Sequence, residues 1–227
     1  MINIQDKKDH YVSLFEDTDW TFIHEYLQSS KFDDIIVKLV EQVEQGNRFT
    51  PKYKDMFNSF LACPYKDVNV IFVGQDPYPQ LDVADGISFS CSKTNKEQPS
   101  LRYIFNELQR QYPNATRDCD LSRWSKQGVL MLNTALTVQV GKIGSHYSIW
   151  RDFSHYLCKE LNKRSDLITV LLGKKAEEFE IILKDTQILK VPHPAAAAYK
   201  GGVWDSKNLF IRINEMLEAQ NKSTIQW

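Results

Sequence analysis

Four short runs of branched apolar residues set the strongest limit on how this chain folds: residues 68–73, 128–132, 167–172 and 187–191. Each is short and rich in Val, Ile and Leu, the pattern of strands buried on both faces. Helical periodicity fills the stretches between them. Leu101, Ile104, Phe105, Leu108 and Tyr112 repeat at helical spacing behind Pro99, a residue suited to a first helical turn. Trp150, Phe153, Leu157 and Leu161 form a second stripe, Ala176, Phe179, Ile182 and Leu183 a third, and Leu209, Phe210, Ile213 and Leu217 a last. Ile36, Leu39, Val40 and Val43 predict one helix ahead of the first strand. Strand and helix in alternation predict an α/β fold: a single domain over residues 1–227, with a central four-stranded parallel sheet flanked by helices.

The residues just past each strand carry the chemistry. The first strand runs into Gly74-Gln75-Asp76-Pro77-Tyr78, the second ends at Asn133-Thr134, the third at Gly173-Lys174-Lys175 and the fourth at Pro192-His193-Pro194. Ligands of open parallel sheets bind beyond the carboxyl ends of the strands. A carboxylate, an amide, two lysines and an imidazole are therefore expected along one edge, an enzyme-like cleft without a named substrate. Composition narrows little. The net charge of −1 gives no global basic character, although a local basic face is compatible with it. No apolar run is long enough to span a bilayer, and the first residues lack a signal-peptide pattern, so a cytoplasmic protein without membrane contact is expected. The four cysteines, Cys63, Cys91, Cys119 and Cys158, lie far apart with no CxxC, as scattered reduced thiols do.

Several segments together resemble the family-1 uracil-DNA glycosylases. They are Gly74-Gln75-Asp76-Pro77-Tyr78, Gly86-Ile87-Ser88-Phe89-Ser90, the run from Gly128 to Thr134, Ser145-His146 with Trp150, Gly173-Lys174, His193-Pro194 and the terminal Ile225-Gln226-Trp227. The motifs stand in family order at family spacing, from about residue 50 onward. The resemblance implies hydrolysis of the bond between uracil and deoxyribose in single- and double-stranded DNA, with no metal or other cofactor. It also implies a monomer, and it makes a DNA-mimicking protein inhibitor a candidate partner.

The roles it implies suit the residue types. The glycosidic carbon is unreachable inside a stacked duplex, so the nucleotide must be extruded or met single-stranded. As the bond breaks, the sugar becomes oxocarbenium-like and the base anionic. Asp76 would position the water and stabilise the sugar cation, and His193 would donate to uracil O2 from a neutral ring. Asn133 would read uracil N3–H and O4, a pattern that cytosine inverts. Phe89 would stack on the base, Tyr78 would exclude the thymine methyl, and Gln75 would use its backbone N–H. Pro99, Ser100 and Lys174 would serve DNA phosphates, and Ser145-His146 would lie near the DNA groove. By residue type alone, a turn aspartate, a turn asparagine, a strand-end histidine, a core phenylalanine, a surface tyrosine and a solvated lysine pair are the alternative structural readings.

Two segments depart from the family. Tyrosine is usually followed by His-Gly but here by Pro79-Gln80, and in place of the usual His-Pro-Ser-Pro-Leu-Ser-Ala the chain reads His193-Pro194-Ala195-Ala196-Ala197-Ala198-Tyr199. Both departures resemble the poxvirus form of the enzyme. Ala195 stands where a phosphate-touching serine is expected. Ala197 stands where a leucine wedges into the duplex, and a one-residue shift would put Ala196 or Ala198 there. Tyr199 and Lys200 are large enough to take over part of the wedging. Because the poxvirus relative also serves a polymerase complex, the alternative function is a DNA-binding or replication-accessory module with secondary catalysis. A glycosylase for another damaged base is a third reading, against which Tyr78 and Asn133 argue together.

Overall fold

The computed structural model describes residues 4–227, apart from the side chains of residues 198–200. In chain order the elements are α1 (Ile4–Phe15), α2 (Thr21–Gln28), α3 (Ser30–Glu44), β1 (Phe49–Thr50), α4 (Asn58–Leu61), β2 (Val70–Gly74), α5 (Pro99–Gln111), α6 (Ser122–Ser125), β3 (Val129–Asn133), β4 (Val138–Gln139), α7 (Tyr147–Leu161), β5 (Ile168–Leu172), α8 (Lys174–Glu177), β6 (Gln187–Val191), α9 (Pro194–Lys200) and α10 (Leu209–Ala219). The four apolar runs are the four strands of one parallel sheet, in the order β3-β2-β5-β6. β1 and β4 pair separately as a short antiparallel ribbon, which the sequence reading does not contain.

Strand alternation sorts the core into two layers. Ile71 and Val73 point into a cluster with α3, α7 and the aromatic residues of α1 and α2. Val70 and Phe72 point into a second cluster with α5, α10 and Trp227. β2, β3 and β5 are buried along their whole length, whereas β6 is an edge strand with Lys190 exposed and paired to Glu180 at 2.9 Å. A charge there discourages pairing with another chain.

The chain passes from β2 to β3 on one side of the sheet and then crosses to β5 on the other, so the loops leaving β2 and β5 diverge. The crevice beyond this switch point is where ligands of such sheets bind.

Two expectations need correction. Among the described residues, the region before β2 forms four α-helices, α1 to α4, rather than one. Their aromatic side chains, among them Tyr11, Phe15, Phe22 and Phe32, are buried, and Trp20 Nε1 donates to the carbonyls of Phe60 and Cys63 at 3.0 Å each. The stripe at Ala176, Phe179, Ile182 and Leu183 is not a full helix. α8 makes one turn, and consecutive turns come after it, with Phe179 N–H on Ala176 O and Leu183 N–H on Phe179 O, both at 3.0 Å. Ala176, Phe179 and Leu183 are nonetheless buried. The periodicity marks burial along this crossover, and irregular turns satisfy the same burial.

Candidate active site

The ends of β2, β3 and β6 converge on a cleft of about 500 Å³ lined by Gln75, Asp76, Tyr78, Phe89, Asn133 and His193, with Pro99, Ser100 and Ala195 at its rim. The loops after β2 and β3 are laced together: Ala135 N–H and Thr134 Oγ1 donate to Gln75 O at 2.9 and 2.8 Å. Two glycines permit the close approach. A Cβ on Gly74 would lie 2.7 Å from both Asn133 Oδ1 and Ser88 Oγ. Gly173, at φ +82°, would meet His193 Cβ at 2.8 Å.

Asp76 is largely removed from water, and burial pushes its carboxyl above the usual range. Its own amide and the N–H of Gly144, 2.6 Å from Oδ2, act in the opposite direction. Among the described residues no cationic side chain pairs with it. A desolvated carboxylate without a cation is poised to stabilise positive charge that arrives with a substrate. His193 begins α9, and its Nδ1 accepts the N–H of Ala195 at 3.1 Å. Burial lowers its pKa to about 4, so the ring is neutral at pH 7. With Nδ1 engaged as an acceptor, the single ring proton belongs on Nε2. The His193 ring stands 5.6 Å from that of Phe89, centre to centre.

Asn133 is buried at the end of β3, and Ser88 Oγ donates to its Oδ1 at 2.8 Å. That bond fixes which way the amide faces. Phe89 is held at φ +63°, an uncommon conformation for a side chain with a Cβ. Its carbonyl accepts the hydroxyl of Tyr78 at 3.0 Å.

Asp85, which sequence reasoning misses, secures the same loop. Its buried carboxylate accepts Ile87 N–H at 3.1 Å, Ser92 N–H at 3.0 Å, and the hydroxyls of Ser90 and Ser92 at 2.6 Å each. The turn-forming Asp85-Gly86 pair is the available signal. The amide of Gly144 and the hydroxyl of Ser88 are missed as well. A backbone donor leaves no trace in residue type, whereas Ser88 lies inside the family-like segment Gly86–Ser90.

Other predicted residues fall elsewhere. Lys174 and Lys175 are exposed at the start of α8 and do not line the cleft; Lys175 pairs with Glu178 at 2.8 Å. Ala197 packs against the second core cluster, while the exposed Ala196 faces the cleft. Ala195 and Ala196, rather than Ala197, therefore line the cleft, because one step along a short helix turns a residue by about 100°. The side chain of Tyr199 lies outside the described residues. His146 is buried, its Nδ1 lies 2.8 Å from Thr137 Oγ1, and burial lowers its pKa to about 4. Among the described residues, no group of three or more His, Cys, Asp or Glu side chains is arranged to hold a metal ion.

Among models of known families, the Uracil DNA glycosylase superfamily matches residues 61–218. The chain belongs to this superfamily. Relatives within it include the uracil-DNA glycosylase of Campylobacter jejuni subsp. jejuni serotype O:23/36, 38% identical over 216 residues and 92% of each chain. The uracil-DNA glycosylase of Dichelobacter nodosus is 37% identical over 211 residues, 90% of this chain and 91% of that one. Among solved structures, mimivirus UNG Y322L in complex with UGI superposes with a TM-score of 0.85 at 26% identity, covering 100% of this chain and 91% of that one. The superfamily membership accounts for the parallel sheet and for a cleft at its carboxyl edge.

Proposed function

We propose that this superfamily member removes uracil from DNA with Asp76 and His193 as its catalytic groups. The activity is that of a uracil-DNA glycosylase, a hydrolytic glycosidase of DNA base excision repair. One observation carries the assignment of residues: Asp76, which has no cationic partner among the described residues, and His193, whose Nδ1 accepts the N–H of Ala195, line one cleft.

The extruded uracil enters between Phe89 and the Asn133 amide. As the bond from C1′ to N1 lengthens, Asp76 stabilises the cationic sugar and His193 Nε2–H donates to the O2 that gains charge. Water adds its oxygen to C1′. Its proton balances the departing base, leaving an abasic site and free uracil. Tyr78, braced against the Phe89 carbonyl, crowds the side where thymine carries its methyl group. Gln75 contributes its backbone N–H, while Pro99, Ser100 and Ala195 face phosphates at the rim.

The motifs further support membership of family 1, with Pro79-Gln80 and the alanine run as poxvirus-like variations. The enzyme works as a single-domain monomer in the cytoplasm, on single- and double-stranded DNA, and its DNA-facing surface also suits a DNA-mimicking protein inhibitor. The decisive measurement is uracil release from an oligonucleotide in the presence of EDTA, followed by alkaline cleavage of abasic sites. Asp76→Asn and His193→Ala should each lower kcat by roughly two to four orders of magnitude with the fold retained. Near-normal turnover in either variant would remove that residue from the mechanism.

A further inference from the structure

The alanines of α9 leave open what occupies the duplex when a nucleotide leaves it. Of the large hydrophobic side chains exposed among the described residues (Val43, Leu61, Leu81, Ile143, Ile181 and Val203), only Ile143 lines the cleft. A single exposed isoleucine is ordinary on a protein surface. Its position is not. Ile143 keeps 60% of its surface in solvent one residue before Gly144, whose N–H holds Asp76.

The surrounding loop is firmly built. Gly141 N–H donates to Pro79 O at 2.9 Å, Lys142 N–H to Gln139 O at 3.0 Å, Ser145 N–H to Lys142 O at 3.2 Å, and Gln139 N–H to Ser145 Oγ at 2.9 Å. The side chain is therefore presented at a fixed point.

We propose that Ile143 is the apolar side chain that packs into the base stack at the extruded nucleotide and holds the gap open. This rests on the assignment of Asp76 to the sugar. If that carboxylate faces C1′, the residue beside its amide donor stands next to the place the nucleotide has left. A branched four-carbon side chain can fill part of that space, whereas Ala195 and Ala196 on the other rim cannot.

The test compares one uracil-containing sequence presented as single strand and as duplex. Ile143→Ala should lower kcat/KM on duplex roughly tenfold and on single strand no more than about twofold, because only the duplex must be unstacked. Ile143→Leu should keep most duplex activity. With cleavage blocked by Asp76→Asn, fluorescence of 2-aminopurine next to the uracil should report less unstacking when Ile143→Ala is added. Equal losses on both substrates, or no loss on either, would overturn the role. Failure of the unsubstituted protein to release uracil from single strands would instead reject the reading of the cleft, and this role with it.

Discussion

At the scale of single residues, proton affinities are set by burial. His146 and His193 both have pKa values lowered to about 4, chiefly because their charged forms are desolvated. The ordinary value for an unfolded chain is about 6.5. Between these limits the unfolded chain binds protons that the folded chain does not, so stability should fall as pH drops from about 6.5 to about 4. Below that window the two rings add no further slope. His146→Gln cannot titrate, and it should flatten the fall in urea-denaturation free energy. An unchanged slope would show that other groups govern it. Asp76 shifts the other way: kcat/KM should decline on the acid side above the usual carboxylate range, as the anion is neutralised. The types Asp76, Asn133 and His193 are readable from the chain because each ends a strand. Their states are not, since the Gly144, Ser88 and Ala195 partners of Asp76, Asn133 and His193 are set by the folded backbone rather than by residue type.

At the scale of elements, the loop carrying Phe89 depends on one buried anion. Asp85 Oδ2 alone receives three donors from Ser90 and Ser92. Asp85→Asn replaces one acceptor oxygen with a donor and should cost about 1–3 kcal/mol of stability, as an unsatisfied buried group does. Because the same bonds support the left-handed Phe89, uracil excision should fall as well. Wild-type unfolding in urea together with wild-type kcat/KM would refute the bracing role. The four strands of the parallel sheet are legible to within two residues, β2, β3 and β5 because complete burial writes an uninterrupted apolar run, whereas the two-residue strands β1 and β4 are too short to leave one. α5, α7 and α10 are legible because one face is buried. α1 and α2 escape a reading by periodicity: α2 is short, and α1 buries only Tyr11 and Phe15 fully. The crossover from β5 to β6 mimics a helix because its turns happen to bury residues at helical spacing.

At the scale of the whole molecule, the cleft is foreseeable as a place, since parallel strands send their carboxyl ends to one edge. Its boundary is less so. Whether Ala196 or Ala197 faces it depends on the start of α9, and whether lysines reach it depends on the direction of α8. Both are decided by packing among elements distant in sequence. Burial, rather than strand order, divides the cleft residues unequally. β3 and β6 are both outer strands, but Asp76 and Asn133 follow strands buried throughout, whereas His193 follows β6, which is partly exposed. Edge segments with few buried neighbours open at lower free energy than a sheet centre. Amide hydrogens of residues 187–191 should exchange faster than those of residues 70–74, and equal protection would refute that difference. On warming, with His193 in its proposed role, activity should disappear while circular dichroism still reports the sheet, and it should return on cooling without global refolding.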